Sequence, residues 1–273
     1  MKTVQCAPGV NPMNGTCYRK EHLDKIARHH KIKVPRSLNH GQMLGQIKKS
    51  LSCGNGSNDL CLIQGLPDPV KDSIVDDVLR PPGPEGKFDW LATNHINRVM
   101  SQYEKLHQDF LFLGAVPMDF DSLPQLGIRD LPLQRLYNEG TRRIGIIFNT
   151  DDHYQPGQHW VAGYTDLGKG QVYFFDSVAD MPDERAVALL ARFAKASMKA
   201  RGRTARLEEM DIDVNNVRHQ FANTECGVYS MNFIIRLLNG TSFREIVNNP
   251  TLDSNMNECR SVYFNKFGGK KRR

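Results

Sequence analysis

The sequence predicts an α+β protein, a central mixed sheet flanked by helices, with a small helical module ahead of it. Two observations carry this. Apolar runs of strand length group in the middle of the chain, with helical patterns on either side. A Pro/Gly-dense stretch, Arg80-Pro81-Pro82-Gly83-Pro84-Glu85-Gly86, divides the 273 residues into a shorter and a longer region. The expected organisation is a basic helical module over 1–80, a linker over 81–87, a main domain over 88–267 and a basic tail over 268–273.

The elements follow in order. Leu23, Ile26 and Ala27 repeat at helical spacing within a helix from Arg19 to His30. Met43, Leu44 and Ile47 do the same between Leu38 and Leu51. Gly54-Asn55-Gly56-Ser57-Asn58-Asp59 is a loop, and Asp68 to Leu79 forms another helix with Pro69 in its first turn. Beyond the linker a helix runs from about Asp89 to Gln108. Strands follow at Arg143–Asn149, His159–Tyr164 and Gln171–Phe175. The turn chemistry of Asp166-Leu167-Gly168-Lys169-Gly170 makes the last two a hairpin. Pro182-Asp183-Glu184 opens a helix to about Lys199, with acidic residues well placed at its start. A further strand is expected within 207–218. Cys226–Leu238 is an apolar helix closed by Asn239-Gly240, and two short helices begin at Ser242 and near Leu252. There is no internal repeat.

The net charge of +6 is unevenly placed. Residues 1–50 carry ten basic and two acidic side chains, and Lys270-Lys271-Arg272-Arg273 adds four positive charges. The body between is therefore acidic. A basic module and tail suit a polyanion such as nucleic acid; otherwise they are solvated surface. Met1 to Gly9 lacks the apolar run of a secretory signal, and no apolar run approaches the length of a membrane span. A membrane partner is therefore not expected. Cys6, Cys17, Cys53, Cys61, Cys226 and Cys259 are expected as reduced thiols in a reducing, intracellular compartment. The first four lie near His22, His29 and His30, which raises a zinc module. Their gaps fit no standard zinc motif, and no metal or other cofactor is expected.

Three segments carry chemistry: His159-Trp160-Val161, Phe174-Phe175-Asp176-Ser177 and Gln220-Phe221-Ala222-Asn223-Thr224-Glu225-Cys226-Gly227. All sit where elements begin or end, where side chains project from a rigid frame. Cys226 opens a helix, whose free N–H groups and dipole favour a thiolate. His159 starts a strand and can serve as the partner of that thiol. Asp176 ends the neighbouring strand and can orient the imidazole. Gln220 can donate its amide to a developing oxyanion. Singly, each residue also has an ordinary structural reading.

His-Trp, then Asp after the next strand, then Gln-x5-Cys-Gly, in that order, resembles the SUMO/ubiquitin-like-specific and adenovirus-type cysteine proteases. The likeness is strongest to the polyprotein proteases of large DNA viruses, including the African swine fever virus type. There a segment similar to Val217-Arg218-His219-Gln220 and Thr224-Glu225-Cys226-Gly227-Val228-Tyr229-Ser230 surrounds the nucleophile. Trp90-Leu91-Ala92-Thr93-Asn94-His95-Ile96 is similar to the segment that opens that catalytic domain. Cys17 to Leu23 resembles, more loosely, an N-terminal module of large-virus proteases.

The resemblance covers residues 88–265 and implies a papain-like, adenain-like core with Cys226 as nucleophile and His159 as its acid/base partner. It further implies Asp176 as orienter, where some relatives carry Asn, and Gln220 as oxyanion donor beside the Cys226 N–H. Trp160 would line a narrow channel that admits small residues, the usual basis of Gly-Gly selectivity. Asn223, a second choice as oxyanion donor, and Gly227 complete the expected substrate-binding set.

The expected function is cleavage after Gly-Gly in a viral structural polyprotein during virion maturation, by a late protein acting in the virion and host cytoplasm. Removal of SUMO or ubiquitin-like modifiers is the alternative within that chemistry. A non-catalytic nucleic-acid-binding or packaging protein is the alternative outside it. Phe267-Gly268-Gly269-Lys270 would be a self-cleavage or product-like site, or otherwise a solubilising end.

Overall fold

A computed structural model describes residues 5–54, 59–202 and 206–265. The tail and its Gly-Gly-Lys sequence lie outside the described residues. The chain forms two compact units: the chain up to Gly83 together with that from Ser261, and Pro84–Arg260.

The helical unit contains α1 (Lys20–His29), α2 (His40–Ser50) and α3 (Asp68–Val78). The helical stripes read from the sequence become its core: Leu23, Ile26, Met43, Ile47, Ile74 and Val75 are buried together with Tyr18. Asn39 caps α2 by accepting from Gln42 N, and Pro69 sits in the first turn of α3. Asp59 is buried and accepts from Thr16 Oγ1 at 2.6 Å and Cys17 N at 3.0 Å, closing the loop around the core.

Two expectations are corrected here. Cys6 is joined to Cys17 and Cys53 to Cys61, so these four are not reduced thiols. The chain brings their Cα atoms to 5.3 and 6.0 Å, within disulfide reach. A sulfur so bonded is no thiolate ligand, and the zinc module has no donors left among them. The free thiols are Cys226 and Cys259. Residues 261–265, expected in the main domain, belong instead to the helical unit. Asn265 donates to the carbonyls of Gln5 and Arg80, accepts from Gln5 N, and pairs with Pro82, so 81–83 is pinned rather than a free linker.

The larger unit is built on a five-stranded sheet in the order β1-β2-β3-β4-β5. The strands are β1 (Phe110–Val116), β2 (Arg143–Asn149), β3 (Trp160–Asp166), β4 (Gln171–Phe175) and β5 (Asp211–Val214). The central three pair antiparallel, and both edge strands are parallel to their neighbours. The expected hairpin is present, with Ala162 opposite Phe175. The helices are α4 (Thr93–Leu106), α5 (Leu133–Asn138), α6 (Glu184–Arg201), α7 (Cys226–Leu238), α8 (Phe243–Asn248) and, as far as Arg260, α9 (Asp253–Tyr263).

The sheet is covered on both faces. Ile144, Ile146, Phe148, Val161, Val172 and Phe174 pack with Leu189, Leu190 and Phe193 of α6. On the other face Phe175 stacks on Phe233 of α7 at 4.7 Å, and Tyr173 stacks on Phe243 of α8 at 4.6 Å. β3 is buried along its whole length, which is why it lacks the alternation of a half-exposed strand.

Among the described strands and α-helices, β1 and α5 have no counterpart in the sequence reading. Phe-Leu-Phe-Leu-Gly-Ala-Val continues directly from the apolar pattern of α4, and periodicity alone does not separate such a run from helix. Its register shifts between Phe112 and Ala115 around Gly114, whose φ of +109° is open to glycine. Glu104 and Asn97 of α4 accept from Phe112 N and Ala115 N on either side of the shift.

Alkylation under non-reducing denaturing conditions is expected to label Cys226 and Cys259 alone, and prior reduction to expose four more thiols. Reduction should also destabilise the helical unit by about 2–4 kcal/mol per bridge. Intact mass and thermal unfolding check both; six labelled thiols without reductant would refute the pairing.

Candidate active site

The site stands at one end of the central strands. His159 immediately precedes β3, and its carbonyl accepts from Thr150 N, which ties the loop to the end of β2. Asp176 immediately follows β4. Antiparallel pairing brings these two strand ends alongside each other, and His159 Nε2 lies 2.6 Å from Asp176 Oδ1. The ring nitrogen left for the thiol is Nδ1. Cys226, the first residue of α7, is a hydrogen-bond partner of the imidazole.

Electrostatics follow from this contact. Burial by itself would lower the His159 pKa. The hydrogen bonds with Asp176 and Cys226, and the charges of both, outweigh it and push the value up to about 10. The imidazole is thus held as a cation at neutral pH, between the Asp176 carboxylate and the Cys226 sulfur.

Asp176 is itself fixed. Its Oδ1 also accepts from Val178 N at 2.9 Å. Asn215, beyond the end of β5, brackets its main chain: Asn215 Oδ1 accepts from Asp176 N and Asn215 Nδ2 donates to Asp176 O, both at 2.7 Å. Ser177 continues the bracket, its carbonyl accepting from His219 N and Gln220 N. Ser177 Oγ donates to Gln220 Oε1 at 2.6 Å, and Gln220 Nε2 donates to Ala222 O at 2.6 Å. These bonds set which end of the amide is the donor. Nε2 keeps a second hydrogen beyond the one given to Ala222.

The first intrahelical bond of α7 runs from Tyr229 N to Glu225 O, so the N–H groups of the first turn, Cys226 N–H among them, lack intrahelical acceptors. Glu225, buried just before the thiol, pairs with Arg260 of α9 at 2.7 Å. Trp160 is buried; its Nε1 donates to Leu91 O at 2.9 Å, and its carbonyl accepts from Ser230 Oγ of α7. A Cβ on Gly227 would stand 3.2 Å from Leu91 and 3.3 Å from Trp160, so only glycine fits easily between them. Asn223 is exposed in the loop before α7.

The structure thus brings His159, Asp176 and Cys226 together, connects Gln220 to them through Ser177, and sets Trp160 against Gly227. Sequence reasoning did not single out Asn215, Ser177 or the Glu225–Arg260 pair. Each acts across a sequence distance of more than 30 residues, and no local motif marks such a partner. Among the described residues no group of three or more His, Cys, Asp or Glu is arranged to hold a metal ion. No described helix is long and apolar enough to cross a membrane.

Known proteins resemble this chain in sequence and in fold. Residues 143–265 match the model of the Ulp1 protease family, C-terminal catalytic domain. The chain is 32% identical to a thiol protease of Acanthamoeba polyphaga mimivirus, over 92% of this chain and 89% of that protein. It is 26% identical to a cysteine protease of African swine fever virus, over 67% of this chain and 70% of that one. In another isolate that protein carries the name SUMO-1 cysteine protease. A crystal structure of the African swine fever virus protease superposes with a TM-score of 0.70 at 19% identity, covering 96% of this chain and 95% of that chain, and shares the fold. The chain belongs to the Ulp1 protease family of thiol proteases, and the relatives named above are viral.

Proposed function

We propose that this thiol protease cleaves after Gly-Gly in a viral structural polyprotein during virion maturation, acting in the virion and host cytoplasm. The observation that carries the catalytic part is His159 held between Asp176 and Cys226. The Cys226 sulfur attacks the carbonyl carbon of the second glycine, and negative charge develops on its oxygen. The Cys226 N–H and the second Gln220 Nε2 hydrogen are the donors assigned to that oxygen. His159 gives its proton to the departing amine as the C–N bond breaks. It then takes a proton from the water that hydrolyses the thioester. Asp176 keeps the ring oriented and favours its cationic form.

The Gly-Gly preference rests on Trp160. Its indole is pinned to Leu91 O and lies against Gly227, the residue after the nucleophile. A fixed ring so near the thiol favours residues without side chains and excludes branched ones. A second reading, removal of a SUMO-like modifier, shares this chemistry and is favoured by the name that an African swine fever virus relative carries. For the helical unit we add a polyanion contact: Lys25, Arg28 and His29 line a groove of about 460 Å³ with Pro69, Val70 and Ser73. Affinity for single-stranded DNA is expected to fall with salt and with Lys25→Glu/Arg28→Glu. Affinity indifferent to both would remove this part of the proposal.

Cleavage of a Gly-Gly-Xaa peptide is expected to be abolished by Cys226→Ala. Replacing either glycine by valine should lower kcat/KM by about 100-fold or more, and Trp160→Ala should relax that penalty. Equal cleavage of the valine peptides would refute the selectivity. SUMO and ubiquitin fusions assayed beside polyprotein peptides separate the two substrate readings.

The raised His159 pKa sets the pH dependence. The imidazolium is present below a pH of about 10 and is lost above it, so kcat/KM of the wild type should hold into the alkaline range. Asp176→Ala removes a bond and a charge that raise this pKa. Its alkaline limb should move down toward the ordinary imidazole range, with kcat/KM at neutral pH lowered about 10–100-fold. A limb unmoved in Asp176→Ala would show that Asp176 does not set the charge of His159.

A further inference from the structure

Cys226 is preceded by an exposed loop, Phe221–Asn223, and the more buried Thr224 and Glu225. The loop backbone is held by side chains from α9. Asp253 Oδ2 accepts from both Phe221 N and Ala222 N at 2.9 Å, and its Oδ1 accepts from Tyr229 OH at 3.2 Å. One turn further along, Asn257 Nδ2 donates to Glu225 Oε1 at 2.8 Å and to Lys87 O at 2.9 Å. Arg260 then donates to Glu225 Oε2 at 2.7 Å and to Thr224 O at 2.9 Å. Positions 253, 257 and 260 share one helix face. That face holds four of the five residues between Gln220 and Cys226.

We propose that Asp253 is a positioning residue for oxyanion stabilisation, acting on Gln220 through Ala222. The link is two hydrogen bonds long. Asp253 fixes the Ala222 N–H, and the carbonyl on the other side of the Ala222 Cα accepts from Gln220 Nε2. Ser177 holds the other end of the same amide. With both ends held, the second Nε2 hydrogen keeps one direction. Without Asp253 the backbone at Phe221 and Ala222 is free to shift, and the Ala222 carbonyl that anchors the amide shifts with it. Two backbone N–H groups on one carboxylate oxygen make a strong, charge-assisted clamp, the kind of support a preorganised donor requires. Asp253 touches neither substrate nor thiol. This inference rests on the reading of Gln220 as an oxyanion donor.

The test separates thiol activation from oxyanion binding. Alkylation of Cys226 by iodoacetamide needs only the activated thiol. Reversible addition of Cys226 to a Gly-Gly peptide aldehyde also needs a donor for the oxygen that was the carbonyl. Asp253→Ala is expected to lower kcat and aldehyde affinity together by about 10-fold or more, with KM and alkylation rate within about twofold of wild type. Asp253→Asn should restore both, because one amide oxygen can accept both N–H bonds. Gln220→Ala should match or exceed the Asp253→Ala defect, and the double variant should add little to it.

Unchanged aldehyde affinity in Asp253→Ala would overturn the proposal. So would a parallel loss of alkylation, which would mean that Asp253 supports the thiol or the fold instead. If the wild type alkylates rapidly but ignores the Gly-Gly aldehyde, the substrate reading fails. Acetamidoacetaldehyde, which needs the same donor without Gly-Gly recognition, then decides the role of Asp253 by the same two outcomes.

Discussion

The packing of α7 across the buried face of β3 and β4 is the constraint on which the rest of the larger unit depends. Phe233 stacks on Phe175, and Ser230 Oγ reaches Trp160 O, so the helix is fixed in both position and rotation. Its first residue is the thiol. The strand it crosses begins just after His159, and the neighbouring strand ends just before Asp176. One packing event and one hairpin register therefore set the distances among all three groups. An uninterrupted buried strand at the centre of the sheet is the requirement for this, and β3 supplies it.

The ion pair is bought with burial. His159 lies in surroundings that oppose charge, and burial alone would lower its pKa. It stays charged because its partners are held on independent supports. Asn215 fixes the main chain of Asp176 from both sides, and the start of α7 fixes Cys226. A flexible partner would let the imidazole relax to its neutral form. Rigid positioning thus appears as a shifted equilibrium, and catalysis draws on it without further reorganisation.

The loop 220–226 shows how a short segment becomes a site. It lacks regular structure up to Cys226, and three of its residues are exposed. Its shape comes from outside: Ser177 at one end, and Asp253, Asn257 and Arg260 along its length. The disulfides play the corresponding part in the helical unit, closing short loops around a small core.

Much was legible in the sequence because it is local. The stripe Leu23, Ile26, Ala27, the turn 166–170 and the apolar helix after Cys226 each follow from the spacing of a few neighbours. The residues His159, Asp176, Gln220 and Cys226 were candidates for thiol chemistry because they stand at element ends, and their order pointed to the protease fold through its resemblance to a known family. What tertiary structure decided is non-local. β1 became a parallel edge strand because β2 supplies its partner after an intervening segment of more than 20 residues. Cys6 chose Cys17, and Cys53 chose Cys61, because the helical core brought them within reach. Asn215, Ser177 and Asp253 acquired their roles through hydrogen bonds spanning 31 to 43 residues. A single sequence carries no local signal for such pairs, because hydrogen-bonding side chains are common and only the folded backbone selects which of them meet.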